Sequence, residues 1–514
     1  MKKVLTTTVL IAVTAVFMMA IDNAYGEEWL TYGPKAQAMG GASVGLSDAT
    51  NSHYYNPAAL AKNTNVGPAV SVTMGTAAVG DVLGAVDQIA QTMEGIQWNT
   101  LSAKIDAGDS LSPTEVQQLL KLFGSDMTGL NKSGQGVLFN LAGGASFTLP
   151  GYNNIAIFAN YFADAGMDPV FDIGGLSMSV TNTVATQVQN VVGNGADHST
   201  GATLAFTNSG SQALANSLVT TTAGIFTQNQ AEELIYQAEQ AGVDTSDPAI
   251  VAAIQQIAAA TSGLTTRSIT MLNKAATTTA SAGNNQSGLY MSGIFLKEFG
   301  VSYGRPLVEN LLSVGANLKI MEGQTYYNFL KFDTLQGGTD TLNDITKTEN
   351  LKSSTAIGLD VSALVTLTEM VQAGLIIRNL NGPTFKFDGP GDFKLDPQIR
   401  LGVGVNLKLL KVAMDYDVTK NKSITLDGYE SQLFCIGGEI DLWLLNIRAG
   451  MQKNLANSGS GPVMTGGVGL GLGQLVRIDL AGAIATDTSK VGSGANADTM
   501  PQNASISFQA SIKF

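Results

Sequence analysis

Charge, histidine, cysteine and long apolar runs are all scarce in this sequence, and each shortage closes a class of function. Charged residues make up 13% of the chain, roughly half the share usual in soluble domains. The single cysteine, Cys435, excludes an intrachain disulfide. Two histidines, His53 and His198, leave little for a zinc site or a histidine-dependent nucleophile, so no metal, no cofactor and no enzymatic activity are expected. After the first 26 residues no stretch of about eighteen apolar residues occurs, which argues against a helical membrane protein. The formal net charge of −13 argues against nucleic acid and anionic head groups as partners. What fills the gap is 58 glycines with many Ser, Thr and Asn. Low charge without long apolar runs suits strands that alternate between lipid and a polar interior.

The N-terminus has the grammar of an export signal. Lys2 and Lys3 precede a mostly apolar run from Val4 to Ala20, and Ala24-Tyr25-Gly26 places small residues before Glu27. Residues 1–26 are therefore read as a secretory signal peptide.

The clearest pattern lies at the other end. From Ser505 to Phe514 every even position is apolar and every odd position polar. Alternate side chains of a strand point to opposite faces, so one face suits lipid and the other water. Ten residues is also about the length a tilted strand needs to cross the hydrocarbon core. A terminal Phe on such a strand resembles the C-terminal signal of bacterial outer-membrane barrels, which implies the barrel-assembly machinery as a partner. The same alternation runs back through Val476–Ile484, Met464–Leu472, Ile440–Leu444, Val412–Val418 and Leu401–Leu409. Between Leu296 and Phe299 the apolar phase slips by one residue, which predicts a β-bulge near Lys297-Glu298.

Strands are predicted near 66–76, 136–149, 153–164, 288–304, 310–322, 355–368, 370–380, 398–409, 411–420, 431–444, 445–453, 463–473, 475–487 and 503–514. Long connections alternate with tight turns, and an even count leaves both termini on the periplasmic side. The expected fold is all-β, a transmembrane antiparallel barrel of about fourteen strands spanning 66–514, with insertions at about 77–135 and 165–287. In the insertions, Ser112–Gly124, Thr227–Gly242 and a segment opened by Ser246-Asp247-Pro248 carry capped helical stripes, read as packing faces. The flanking tracts 181–223 and 261–287 are rich in Thr, Asn, Gly and Ser and are read as loose. Arg400, Lys408, Asp415, Glu439, Arg448, Arg477 and Asp479 fall on polar strand faces and are candidate lumen charges.

Between the signal and the first strand lies Gly33-Pro34-Lys35-Ala36-Gln37-Ala38-Met39-Gly40-Gly41-Ala42, followed by Asp48 and by Asn56-Pro57-Ala58. Its glycines permit turns and close backbone contact. Pro57 holds Asn56 extended, and an Asn side chain can serve backbone groups that no strand serves. A nucleotide-binding turn would need a preceding strand and a βαβ setting, which this segment lacks.

This segment resembles the start of the FadL superfamily of outer-membrane transporters, which includes PorV-type and TraF-like proteins. The resemblance implies that residues 27–65 form a lumen plug, with Gly40, Gly41, Asp48, Asn56, Pro57 and Ala58 as its motif. It also implies residence in the bacterial outer membrane, contact with lipid, and passive transport of hydrophobic small molecules of fatty-acid or hydrocarbon type. The helix-bearing insert resembles TraF-like members more than simple transporters. That favours, as the alternative, an assembly or scaffold role in a transfer or secretion system. A barrel-embedded lipase would need a Ser-His pair, and neither histidine lies on a predicted strand face.

Overall fold

The computed structural model describes residues 28–46, 50–62, 67–85, 134–149, 154–170, 206–221, 288–331, 351–387, 392–472, 475–491 and 498–512, with isolated positions in 95–100 and 228–246. Fourteen antiparallel strands close into one barrel. They are β1 (Pro68–Val79), β2 (Gly136–Thr148), β3 (Ile155–Val170), β4 (Gly288–Val308), β5 (Leu312–Lys331), β6 (Leu351–Thr366) and β7 (Val371–Arg378). The second half holds β8 (Gln398–Leu407), β9 (Leu410–Asp417), β10 (Leu433–Leu442), β11 (Leu445–Asn454), β12 (Val463–Leu472), β13 (Val476–Ala485) and β14 (Asn503–Ile512). Closure is made by β1 against β14, from Ala69↔Ser511 to Ala77↔Asn503. A closed ladder pairs every strand on both sides and leaves no edge to lipid.

Alternation in the sequence becomes two-sidedness in the wall. On β14, Ile506, Phe508 and Ile512 face outward and are exposed, while Ser507, Gln509 and Ser511 are buried inside. On β13, Ile478 and Leu480 face out and Asp479 and Ala481 face in. The exposed outer belt of Leu, Ile, Val, Phe and Met is what lipid requires.

The slip between Leu296 and Phe299 is not a bulge. Pairing runs unbroken through Lys297↔Glu322 and Glu298↔Met321, and the only register shift between β4 and β5 lies at Pro306/Val308. Ile294 and Leu296 point inward with Glu298, because here the lumen itself is apolar and they join its buried core. Phe299 resumes the outer belt.

Of the predicted helices, Ser112–Gly124 and the one opened by Ser246-Asp247-Pro248 lie outside the described residues, apart from Ser246 itself. The helix expected over Thr227–Gly242 is helical at positions 228, 231–232, 235–236 and 239. The tract 181–223, read as loose, contains a helix at Ser211–Thr221. Glu239 holds its start, accepting from the Thr207 and Asn208 amides and the Ser211 hydroxyl. That partner is 28 positions from Ser211, beyond the reach of a local reading.

Candidate functional site

The N-terminal segment from Glu28 to Lys62 packs against the inward faces of the strands. It forms a short helix α1 (Pro34–Ala38), a single turn α2 (Ser52–Tyr55) and a 3-10 turn at Pro57–Lys62. Elements this short are marginal on their own, so their conformation is imposed by contacts with the wall. Side chains of the wall make those contacts. Thr73 accepts from the Gly33 amide, Ser505 from Gln37 Nε2, and Thr465 from the Gly40 amide. Ser146 donates to the Thr50 carbonyl and Asn317 to that of His53. Glycines of the wall make room for the backbone. A Cβ on Gly450 would meet the Gly40 amide nitrogen at 2.4 Å, and Gly40 itself has φ +70° with a strand carbonyl 2.3 Å from where its Cβ would stand.

The sharpest fixation is at Val44. Asp415 Oδ2 accepts from the Ser43 amide at 2.7 Å and the Val44 amide at 2.9 Å. Asn56 Nδ2 donates to the Val44 carbonyl at 3.0 Å and to the Ala363 carbonyl at 3.3 Å, while its Oδ1 accepts from the Ala58 amide. Both peptide groups of Val44 are thus held from opposite sides. Gly40, Gly41, Asn56, Pro57 and Ala58 are all buried in this arrangement, and Asp48 lies outside the described residues.

Above this clamp is an aromatic core with cations laid over it. Tyr32 stacks on Tyr54 at 4.9 Å, and Trp29 meets Tyr54 edge-on at 6.0 Å. The Arg378 guanidinium lies 4.2 Å from the Tyr54 ring centre, and that of Arg400 lies 4.3 Å from Trp29. Arg400 is also bidentate to Asp417, at 2.5 and 3.0 Å. Lys319 bridges Glu298 at 2.9 Å and Asp360 at 3.1 Å, and Glu298 reaches Arg378 at 3.6 Å. Buried charges are tolerated when each is paired, and the paired cations are then free to lie over ring faces. His53 stacks on Phe158 at 4.9 Å, with Nε2 3.2 Å from Asn160 Oδ1. Burial pushes its pKa down to about 4, so it is neutral at physiological pH.

This core continues along the lumen. Phe385, Phe387, Phe393 and Leu395, from the connection between β7 and β8, belong to the same buried cluster as Trp29 and Tyr54. Tyr327 meets Phe387 at 5.8 Å and stacks on Tyr290, which packs on Phe329 at 4.5 Å. Phe393 also borders an open cavity of about 690 Å³ between the 392–396 and 422–430 loops, with Ile424, Tyr429, Lys394, Lys422 and Asp427. One buried, largely aromatic cluster therefore extends from the long-loop end of the barrel to Trp29.

At the tight-turn end four of the predicted charges, Glu439, Arg448, Arg477 and Asp479, form a chain with Lys411. Lys411 bonds Glu439 at 2.6 Å, Glu439 bonds Arg448 at 2.6 Å, Arg448 bonds Asp479 at 2.7 Å, and Arg477 closes on Asp479 at 2.9 Å. Lys408 is a correction. It stands exposed in the β8–β9 turn with φ +64° and joins none of these bonds, because the strand face ends before it. Reading the sequence for charges on the second half alone missed Glu298, Lys319, Asp360 and Arg378. Glu298 was hidden by the supposed bulge, while Lys319 and Asp360 do sit on the polar phase of their strands. Trp29, Tyr32 and Tyr54 carried no periodic signal at all.

The family described as "F plasmid transfer operon, TraF, protein" matches residues 53–417, which runs from α2 to the end of β9. The chain belongs to this family. Solved structures similar to this TraF-family chain include the CymD monoaromatic hydrocarbon channel, at 11% identity and a TM-score of 0.41 over 95% of this chain and 99% of that one. Others are the Ralstonia pickettii toluene transporter TbuX, at 12% identity and 0.42 over 94% and 98%, and a Pseudomonas aeruginosa FadL homologue, at 9% and 0.40 over 95% and 99%. These similarities are distant, and nothing about this chain's ligand follows from them. No curated protein sequence matches the chain.

Proposed function

We propose that this protein is a passive outer-membrane channel for hydrophobic small molecules, of hydrocarbon or fatty-acid type, closed by its N-terminal segment acting as a displaceable plug. The observation that carries this reading is the buried, largely aromatic cluster that joins Phe385 and Phe387 to Trp29, with Tyr327, Tyr290 and Phe329 packed beside it. Such a cluster grips an apolar molecule by its bulk, and the few polar groups around it orient the molecule. A ligand entering beside Phe393 descends along these rings and meets Trp29 and Tyr54, which belong to the segment that must move. That segment is held by side-chain bonds to the wall and contributes nothing to the strand ladder, so it can shift while the barrel stays closed. Outer-membrane residence, cleavage of residues 1–26, contact with lipid and insertion by the barrel-assembly machinery belong to the same proposal.

The test is uptake of a radiolabelled aromatic hydrocarbon and of a long-chain fatty acid by liposomes holding the purified protein. Uptake should exceed that of protein-free liposomes and fall to background with Phe385→Asp or Phe387→Asp, whose barrels keep their heat-modifiable mobility. Uptake equal to background for the unaltered protein removes the transport reading. It then leaves the assembly or scaffold role favoured by membership of the TraF family and by a folded insert around Ser211–Thr221.

A further inference from the structure

Three of the turns at the tight-turn end are flanked by large exposed apolar residues, with Glu369 and Lys408 at two of their tips. Leu367 and Met370 flank the β6–β7 turn, Leu407 and Leu409 the β8–β9 turn, and the β10–β11 turn is Leu442-Trp443-Leu444, all of them exposed. Trp443 stands 87% exposed at the tip of its turn. Its φ of +68° lies in the left-handed region that favours glycine or asparagine, so local backbone preference does not select a bulky ring there. A turn in water would be expected to carry polar residues.

The strand lengths say what covers this rim. Strands β8 to β14 have eight to ten residues each. At about 3.3 Å per residue and a tilt of roughly 40°, they rise only about 20–25 Å. That is no more than the apolar band of about 25 Å that such a barrel must present to lipid. At the opposite end, Lys453 closes the outward face of β11, and Lys420 is exposed just past β9. A band that starts below these lysines has to finish in the turns. The rim is also continuous with the lipid-facing belt, since the Ile440–Ile447 pair lies directly above the Leu442–Leu445 pair on the same outward face.

Building on the outer-membrane residence proposed above, we infer that the tight-turn rim is a lipid-binding surface, with the apolar flanks of these turns in the adjoining phospholipid leaflet and Trp443, Lys408 and Glu369 at its interface. An indole has an apolar body and one N–H donor, which suits the boundary between acyl chains and head groups. The barrel is consequently seated low, with its hydrophobic belt ending at the turns and its longer strands β3 to β5 projecting from the other side.

The full chain is reconstituted in phospholipid vesicles, and the emission of Trp443 is taken as the difference between the unaltered protein and Trp443→Phe, which removes the contributions of Trp29 and Trp98. Replacing the lipid by one brominated high on its acyl chains should quench most of that difference emission. A Leu409→Cys variant gives a second measurement, because the only natural cysteine, Cys435, is buried. A polarity-sensitive label on it should report a lipid environment. Failure of the brominated lipid to quench, or an aqueous environment for the label, overturns the inference and makes this rim a surface for a soluble partner. A non-lipid environment in both measurements, with cross-linking between barrels, overturns it in favour of a second copy.

Discussion

Replacing Asp415 by Ala is the perturbation that tests most directly how the N-terminal segment is held. Asp415 sits on a barrel strand, so removing its carboxylate leaves the ladder between β9 and its neighbours intact. It strips the Ser43 and Val44 amides of the acceptor they share, and both residues are buried. A buried donor left unsatisfied costs about 1–3 kcal/mol, so the segment's seating weakens by roughly 2–6 kcal/mol. Asn56→Ala is the calibrating comparison. It removes the bonds to the Val44 and Ala363 carbonyls, but the Ala58 amide keeps Ser362 Oγ at 2.9 Å. Two neutral bonds at about 0.5–1.5 kcal/mol each give roughly 1–3 kcal/mol. Since about 1.4 kcal/mol is tenfold in a population, the unseated fraction should rise by roughly thirtyfold or more in Asp415→Ala and less in Asn56→Ala. Because both side chains act on Val44, the double substitution should add less than the sum of the two. On the proposed plug reading, conductance in planar bilayers reads the unseated fraction, and heat-modifiable mobility checks that the barrel is intact. Conductance of Asp415→Ala no higher than that of the unaltered protein, or below that of Asn56→Ala, refutes this account of the clamp.

Two further outcomes are expected. Leu480→Arg should impair membrane assembly, because Leu480 faces outward and a cation at the bilayer midplane costs roughly 2–4 kcal/mol, whereas Ser at inward Ala481 should be mild; equal yields of folded barrel for both would show the facing to be wrong. On the proposed plug reading, His53 makes the seating pH-dependent. Its pKa is lowered from 6.5 to about 4 when buried beside Asn160, Glu298 and Arg378, so the released segment takes up a proton that the seated one refuses. Stability of the seated state is full above pH 6.5 and declines as pH falls toward 4, by roughly 3 kcal/mol at the lower end. Conductance should therefore rise between pH 6.5 and 4.5, and His53→Gln should flatten that rise.

The wall of this barrel was legible because lipid on one side and a filled lumen on the other write a period of two into each strand. Residues 503–512 and 476–485 show it plainly, and counting such segments leads to about fourteen strands, the number that closes into the barrel. The same rule misled where its premise failed. At Ile294 and Leu296 the lumen is apolar, so an inward strand face looked like a shifted outward one. At Lys408 the alternation was carried one step past the strand into a turn.

The segment ahead of β1 showed where close backbone contact was needed, through Gly40-Gly41 and Asn56-Pro57, but not what it touched. Asp415 meets Ser43 across 372 positions, and Arg400 meets Trp29 only because the barrel closes around both. Local sequence determines how each strand faces, since that depends on the residue and its two-step neighbours. Which aromatic ring lies under which guanidinium, and which carboxylate takes which amide, depends on the circumference and register of the whole barrel. Only the tertiary structure decided those contacts.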